Sequence, residues 1–346
     1  MLSFLSLPLQ RQRAVYEQGA ARLGILPESM EKDFWVSLIL KTIFSHPSLG
    51  EVMTFKGGTS LSKGWHLIKR FSEDIDLVID KGVLEGLNPE DYDNEGKSPS
   101  RSKIKKLSET GRNWVQEVFF SKLEQLLVPL LAGREWSLAV DPDVEDGMCL
   151  LFFYPSVWKS SKDHSYIRRC VKIEMGPQPD NWPHVSVLIA PMIFEEFPKL
   201  ASEEAFPVRT IEAHRTLWEK ALLLHEIGNR ADNPAHAHKM PRMRLSRHYY
   251  DLYCLLRSPF RSKALEDRSL FESIVRHRKT FFKVTGVDYS SMTPGRLNLM
   301  PHPSHMAIWV HDYEQMKETM FYDPRLPSFA ELLETVKQFQ NDFNKM

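Results

Sequence analysis

Cysteine is scarce in this chain of 346 residues: Cys149, Cys170 and Cys254 stand far apart and form no C-x-x-C pair. That leaves no disulfide framework and no thiolate zinc site, and free thiols in the cytoplasm are the expectation. Long hydrophobic runs are missing too. No apolar stretch reaches the eighteen or so residues of a spanning helix. The opening MLSFLSLPLQRQR has no basic segment ahead of its short apolar run, so neither a membrane span nor a signal peptide is expected. Net charge is also absent, since 45 Lys and Arg balance 45 Asp and Glu, which excludes a protein coated in positive charge. No internal repeat is visible. What remains is an ordinary globular composition, 42% hydrophobic and 26% charged. It belongs to a chain long enough for two domains or one elaborated one.

Residues 8–46 read as two helices, punctuated by Pro27 and Ser29 and ended by Pro47. A short strand is expected over 52–55, a helix over 59–69 and a strand over 73–79. The stretch 81–101, rich in Gly, Asn, Asp, Pro and Ser, reads as a long polar loop. Residues 103–131 carry a helical period with Trp114, Val118, Leu123, Leu126 and Leu127 as core candidates. Strands are expected over 136–140, 148–154 and 167–175, with a hairpin loop over 159–164 between the last two. Proline-rich text over 177–207 marks a transition. Beyond it the pattern is helical, over 210–227, 246–257, 264–283 and 328–345. A domain boundary is therefore placed near 205, giving a first domain over 1–205 and a helical second over 206–346.

The most informative stretch is Lys56-Gly57-Gly58-Thr59-Ser60, followed by Asp74-Ile75-Asp76. Two glycines let backbone approach phosphate oxygens and permit positive φ at a tight turn. Thr59, Ser60 and Ser62 stand where a helix should begin, so their hydroxyls and free N–H groups can face an anion. Strand alternation puts Asp74 and Asp76 on one face, about 6.7 Å apart along the chain, with Ile75, Leu77 and Ile79 facing a core. Such carboxylates suit hard divalent cations, and a pair of Mg²⁺ ions roughly 4 Å apart is the usual arrangement for phosphoryl chemistry. Either element alone is as well explained by a turn or a solvated strand face; their order and spacing favour a nucleoside triphosphate site. In Val171-Lys172-Ile173-Glu174-Met175 the polar pair shares a face, so Glu174 is a candidate third acid, with a surface Lys-Glu stripe as the alternative.

The segment FKGGTSLSKGWHLIKRFSEDIDLVID resembles the AbiEii/AbiGii-type (MenT-like) nucleotidyltransferase toxins, which share the DNA polymerase β-like fold. Four further segments carry the resemblance in the same order: Glu31-Lys32-Asp33-Phe34-Trp35-Val36, Val171-Lys172-Ile173-Glu174, Thr216-Leu217-Trp218-Glu219-Lys220 and Arg247-His248-Tyr249-Tyr250-Asp251-Leu252. Fifteen residues separate Gly58 from Asp74, more than in minimal nucleotidyltransferases. The last ninety or so residues resemble nothing in the family's motifs.

The resemblance implies an α+β fold, a mixed sheet flanked by helices and followed by a helical domain that completes the active site. It implies Asp74, Asp76 and Glu174 as metal acids for two Mg²⁺ ions, with Lys220 and Asp251 also needed for activity. Asp251 could orient Lys220 or act as a base. Nucleotide contacts are expected from Lys56, Gly57, Gly58, Thr59, Ser60, Arg70, Ser72 and Lys220, with a solvated arginine as the alternative for Arg70. In some relatives a serine at the place of Ser72 is phosphorylated and the enzyme silenced. The donor would be an NTP and the acceptor an RNA, most simply the tRNA 3′ end, in a toxin–antitoxin or phage-defence system with a cognate antitoxin.

Charge distribution is compatible with an RNA partner. Residues 239–283 hold twelve Lys and Arg against four Asp and Glu, which points to Arg247, Arg276, Arg278 and Lys279 as RNA contacts. His248 is as readily a packing residue as a phosphate ligand. Two rivals remain open on sequence: a nucleotidyltransferase acting on a protein or small molecule, and a non-catalytic nucleotide-binding module.

Overall fold

A computed structural model describes residues 1–92, 98–158, 168–200, 205–233, 235 and 244–346. The predicted loop over 159–164 and the basic residues Lys239 and Arg242 lie outside the described residues. The chain divides into two compact units. The first holds Met1–Trp65, Phe71–Tyr92 and Ser100–Ile211; the second holds His66–Arg70 and Glu212–Met346.

Unit 1 is α+β. Its described residues form a seven-stranded mixed sheet of β1 (Met53–Lys56), β2 (Ile75–Ile79), β3 (Ser137–Val140), β4 (Cys149–Phe153), β5 (Cys170–Gly176), β6 (His184–Ile189) and β7 (Phe206–Ile211), in the order β3-β4-β5-β2-β1-β7-β6. β2 runs parallel to β5 and antiparallel to β1, which is parallel to β7. The helices are α1 (Leu2–Leu5), α2 (Leu9–Leu23), α3 (Pro27–Phe44), α4 (Pro47–Gly50), α5 (Gly57–Lys63), α6 (Arg101–Asn113), α7 (Phe120–Leu130) and α8 (Met192–Glu196).

Several expectations shift. β6 lies in the text read as a transition, and β7 runs from the end of that text into residues read as helical, so the helix expected over 210–227 begins only at Ala213. Pro183 falls just before the edge strand β6 and Pro207 near the start of β7, where a strand tolerates proline. The helix expected over 59–69 stops at Lys63, at Gly64, whose added Cβ would lie 2.9 Å from Val187 Cγ2. Trp114 and Leu126 are only half-buried and Val118 is exposed. A π-helical stretch, Trp114–Phe119, joins α6 to α7. Its wider turn keeps an i, i+4 stripe inward, so Leu107, Val115, Phe119, Leu123 and Leu127 are the buried residues.

α3 is the central helix of unit 1. Pro27 opens it at the first turn, and it packs on α2, β5 and β7. It is buried nearly all round, through Met30, Phe34, Trp35, Leu38, Ile39, Leu40 and Ile43, yet Glu31, Lys32 and Asp33 are buried with them.

Glu31 accepts hydrogen bonds from Ser156 Oγ and the Val157 N–H, each at 2.7 Å, but burial outweighs them and pushes its carboxyl up to about 7. The unfolded chain ionises this group near pH 4.3. The folded chain therefore holds the extra proton between about pH 4 and 7, stability falls as pH rises through that window, and it is flat above it. Glu31→Gln is expected to raise unfolding stability at pH 8 by about 1–3 kcal/mol and to gain nothing at pH 4. Urea titrations at the two pH values check this; an equal gain at both, or none at pH 8, contradicts it.

Unit 2 is helical: α9 (Ala213–Asp232), α10 (Arg247–Leu256), α11 (Phe260–Glu266), α12 (Arg268–Phe281), α13 (Met306–Thr319) and α14 (Phe329–Asn344). Trp218 of α9 sits among Phe271, Phe339 and Phe343, with ring centroids 4.7–5.3 Å away, and its indole N–H donates to the Ala264 carbonyl at 3.1 Å. The single helix expected over 264–283 is two. Asp267 breaks from helical geometry and its carboxylate caps α12 through the Leu270 N–H.

Candidate active site

In unit 1 the acids and the glycine turn meet along one row of the sheet. Lys56 lies opposite Asp76 across β1 and β2, Asp76 opposite Glu174 across β2 and β5, and Glu174 opposite Cys149 across β5 and β4. Residues paired in register point to the same side, so these four side chains share a face. Gly57 follows Lys56 at φ +80°, and a Cβ built there would lie 2.0 Å from Asp76 Oδ2. Glycine is thus required twice at this position, by the left-handed backbone and by the carboxylate against it.

Asp74 precedes β2 and is half-buried. Burial first, then the neighbouring carboxylates of Glu73 and Glu174, push its carboxyl above the ordinary value; Lys32 and Lys172 oppose them. Crowded carboxylates with excess negative charge are what a hard cation relieves, and oxygen is the ligand Mg²⁺ requires. Asp74, Asp76 and Glu174 therefore fit a divalent ion by donor chemistry and register. Among the described residues no three such side chains already converge as a metal cluster. Glu174 is turned to Lys172 at 2.5 Å, and holding an ion would require it to leave that partner. Cys149 takes no part as a thiolate, since burial pushes its thiol up to about 12.

The hydroxyls after the glycine turn are largely engaged within the fold. Ser60 and Ser62 donate to the Gly57 and Thr59 carbonyls at 2.8 and 3.1 Å, and Thr59 and Ser72 share a hydrogen bond of 2.9 Å. Gly58 is half-buried in the first turn of α5.

Unit 2 gathers Arg70, Lys220, Arg247, His248 and Asp251. Asp251 is fully buried on α10 and accepts from Arg70 Nε at 2.6 Å, Arg70 Nη2 at 2.8 Å and Lys220 Nζ at 2.7 Å. Burial alone would raise its carboxyl, but the two cations outweigh that and hold it well below the usual carboxylate range. Arg70 is 3% exposed and paired bidentately, so its main role is with Asp251. Lys220 is lowered by burial and by Arg70 and Arg247, despite Asp251. His248, lowered by burial and by Lys220 and Arg247, is neutral at pH 7, and its Nδ1 is buried without a partner among the described residues. One carboxylate thus faces two cations, with Arg247 close enough to act on Lys220, a surplus of positive charge that suits a polyphosphate.

Of the predicted RNA contacts, Arg278 is committed to Glu226, at 2.9 and 2.5 Å, whereas Arg276 and Lys279 are exposed and Arg247 half-buried. Other charges of the basic stretch pair locally: Arg261 with Asp342, Lys263 with Glu212 and Arg268 with Glu272. The sequence reading assigned no role to Lys32, Asp33, Lys63 or Glu73, although Lys32 and Asp33 stand in one of the segments that carry the resemblance. The signal was present in three consecutive charges inside an otherwise apolar helix.

No helix of the described residues is long and apolar enough to cross a membrane. No curated protein matches the chain. Among solved structures it is similar to MenT4, a nucleotidyltransferase toxin from Mycobacterium tuberculosis H37Rv, at 13% identity over 96% of this chain and 97% of that one, with a TM-score of 0.44. The family model described as nucleotidyl transferase AbiEii toxin, type IV toxin–antitoxin system, matches residues 38–335. This chain belongs to the AbiEii family of nucleotidyltransferase toxins.

Proposed function

We propose that this nucleotidyltransferase transfers NMP from an NTP to an RNA, with the tRNA 3′ end as acceptor, and so blocks translation. The observation that carries the reading is the glycine turn pressed against an acid: Gly57 abuts the Asp76 carboxylate, with Glu174 beside it in register. Such a pairing places a triphosphate-approachable backbone next to metal-ligating oxygens. Asp74, Asp76 and Glu174 would hold Mg²⁺, which when bound stabilises charge on the reacting phosphate and on the attacking and leaving oxygens. The remaining work falls to the chain. Lys220 binds the triphosphate as a compact charge, and Arg247 adds a second. Asp251 does not serve as a base, because its oxygens are occupied by Arg70 and Lys220 and its carboxyl is held strongly acidic. It orients Lys220 instead. Exposed Arg276 and Lys279 on α12 supply RNA phosphate contacts. The toxin–antitoxin assignment of the family supports a cognate antitoxin gene product that counters the activity.

The test is incubation of the purified protein with total tRNA and each α-labelled NTP in Mg²⁺, read on a denaturing gel. Label is expected in tRNA with at least one nucleotide, and in none of the lanes with chelator. If tRNA gains no label with any of the four nucleotides while another cellular fraction does, the tRNA reading falls, and label in a protein or small-molecule fraction makes that the acceptor.

A further inference from the structure

The buried charges of α3 converge on the segments that carry the acids. Lys32 Nζ donates to Glu73 Oε2 at 2.6 Å and to the Arg168 carbonyl at 3.1 Å. Glu73 adjoins Asp74 at the start of β2, and Arg168 lies just ahead of β5, the strand of Glu174. One ammonium thus ties together the leads into both acid-bearing strands. Its neighbour Asp33 pairs with Lys63 at 2.5 Å, at the end of the helix that begins with Gly57, and accepts from the Met192 N–H at 2.8 Å. Lys32 and Asp33 are 2% and 5% exposed, so neither is available to substrate.

We propose that Lys32 is a positioning residue for nucleotidyl transfer, setting the approach of Asp74 to Glu174 by holding Glu73 and the Arg168 carbonyl together; this rests on the reading of Asp74, Asp76 and Glu174 as metal acids. A buried ammonium is costly unless paired, and this one has a carboxylate and a carbonyl as its partners. If stability alone were at stake, an apolar residue would serve α3 at least as well. An ammonium with three donors can serve a side chain and a carbonyl at once, which methionine cannot, and the planar guanidinium of arginine needs a different arrangement of partners. Outer partners of metal-binding side chains act in this way generally, fixing the orientation of the ligands.

Charge and position predict opposite signs, which makes the role measurable. Removing a cation beside carboxylates should by itself tighten a metal ion, whereas loss of the tie should loosen it. Mn²⁺ binding, followed as disappearance of the free-ion EPR signal, reads the acids without acceptor or turnover. Wild type is expected to bind and Asp74→Asn to lose most of that binding. Lys32→Met is expected to weaken Mn²⁺ binding about tenfold or more. Lys32→Arg keeps the charge but not the geometry, and is expected to weaken it by at least about threefold. A folded Lys32→Met protein that binds Mn²⁺ as tightly as wild type, or more tightly, overturns the proposal. Should Lys32→Met fail to fold, Lys32→Arg decides alone, and wild-type affinity there overturns it. Wild-type Mn²⁺ binding by Asp74→Asn would instead overturn the acid site itself.

Discussion

Asp74→Asn and Asp76→Asn are each expected to lower the rate of nucleotidyl transfer by at least about three orders of magnitude, since charge stabilisation of this kind contributes several kcal/mol to the transition state. The amide keeps the shape of each side chain and removes the anionic oxygen. Folding should not suffer. Asp74 sits where burial, Glu73 and Glu174 all disfavour its ionised form, so the neutral variant relieves repulsion. The sign follows from the raised carboxyl. Wild type gives up stability as pH rises above the ordinary carboxylate value of about 3.9, and Asp74→Asn does not. At pH 7 the variant should therefore be at least as stable as wild type while nearly inactive. Single-turnover transfer and urea unfolding on the same preparations separate the two effects. Near-normal transfer by either variant would falsify the assignment of these acids.

Reading the chain by itself went far where the signal was local. The Gly57-Gly58 turn, the D-x-D spacing and the alternation around Glu174 are written in adjacent residues, and so is the α+β character of a strand-rich first half before a helical second. What stayed hidden depends on partners distant in sequence. The row Lys56–Asp76–Glu174–Cys149 is a matter of register among four strands, and no short window contains it. Arg278 looked like a surface cation in a basic stretch, but Glu226 of another helix neutralises it. α3 was legible as a helix, not as a helix buried on every side, so its three charges marked a resemblance but no role until their partners were known. The strands β6 and β7 were obscured by prolines, yet Pro183 only precedes the edge strand β6, and Pro207 stands near the start of β7, ahead of the Thr210 pairing with β1.

Lys220 and Asp251 should part company when each is replaced. Lys220→Ala is expected to cut transfer strongly while the protein stays folded, and to shrink its preference for NTP over NMP. On the proposed reading the lost group is the point charge that meets phosphate, and Asp251 keeps Arg70 as a bidentate partner. Asp251→Ala is expected to cost about 3–5 kcal/mol of stability, because it leaves Arg70 and Lys220 buried with no counter-charge. The pH dependence carries the same message with a defined sign. Asp251 is held well below the usual carboxylate range, so its contribution is complete above about pH 4 and drains away only as pH falls further. Wild type should lose that increment on acidification and Asp251→Ala should not. Were Asp251 the base that deprotonates the acceptor, Asp251→Ala would cost the same stability but would lose rate while keeping the wild-type preference for NTP over NMP, whereas an anchor for Lys220 loses that preference with it. Calorimetry at neutral pH and in acid, set beside transfer assays of both variants, distinguishes a buried anchor for Lys220 from a proton acceptor.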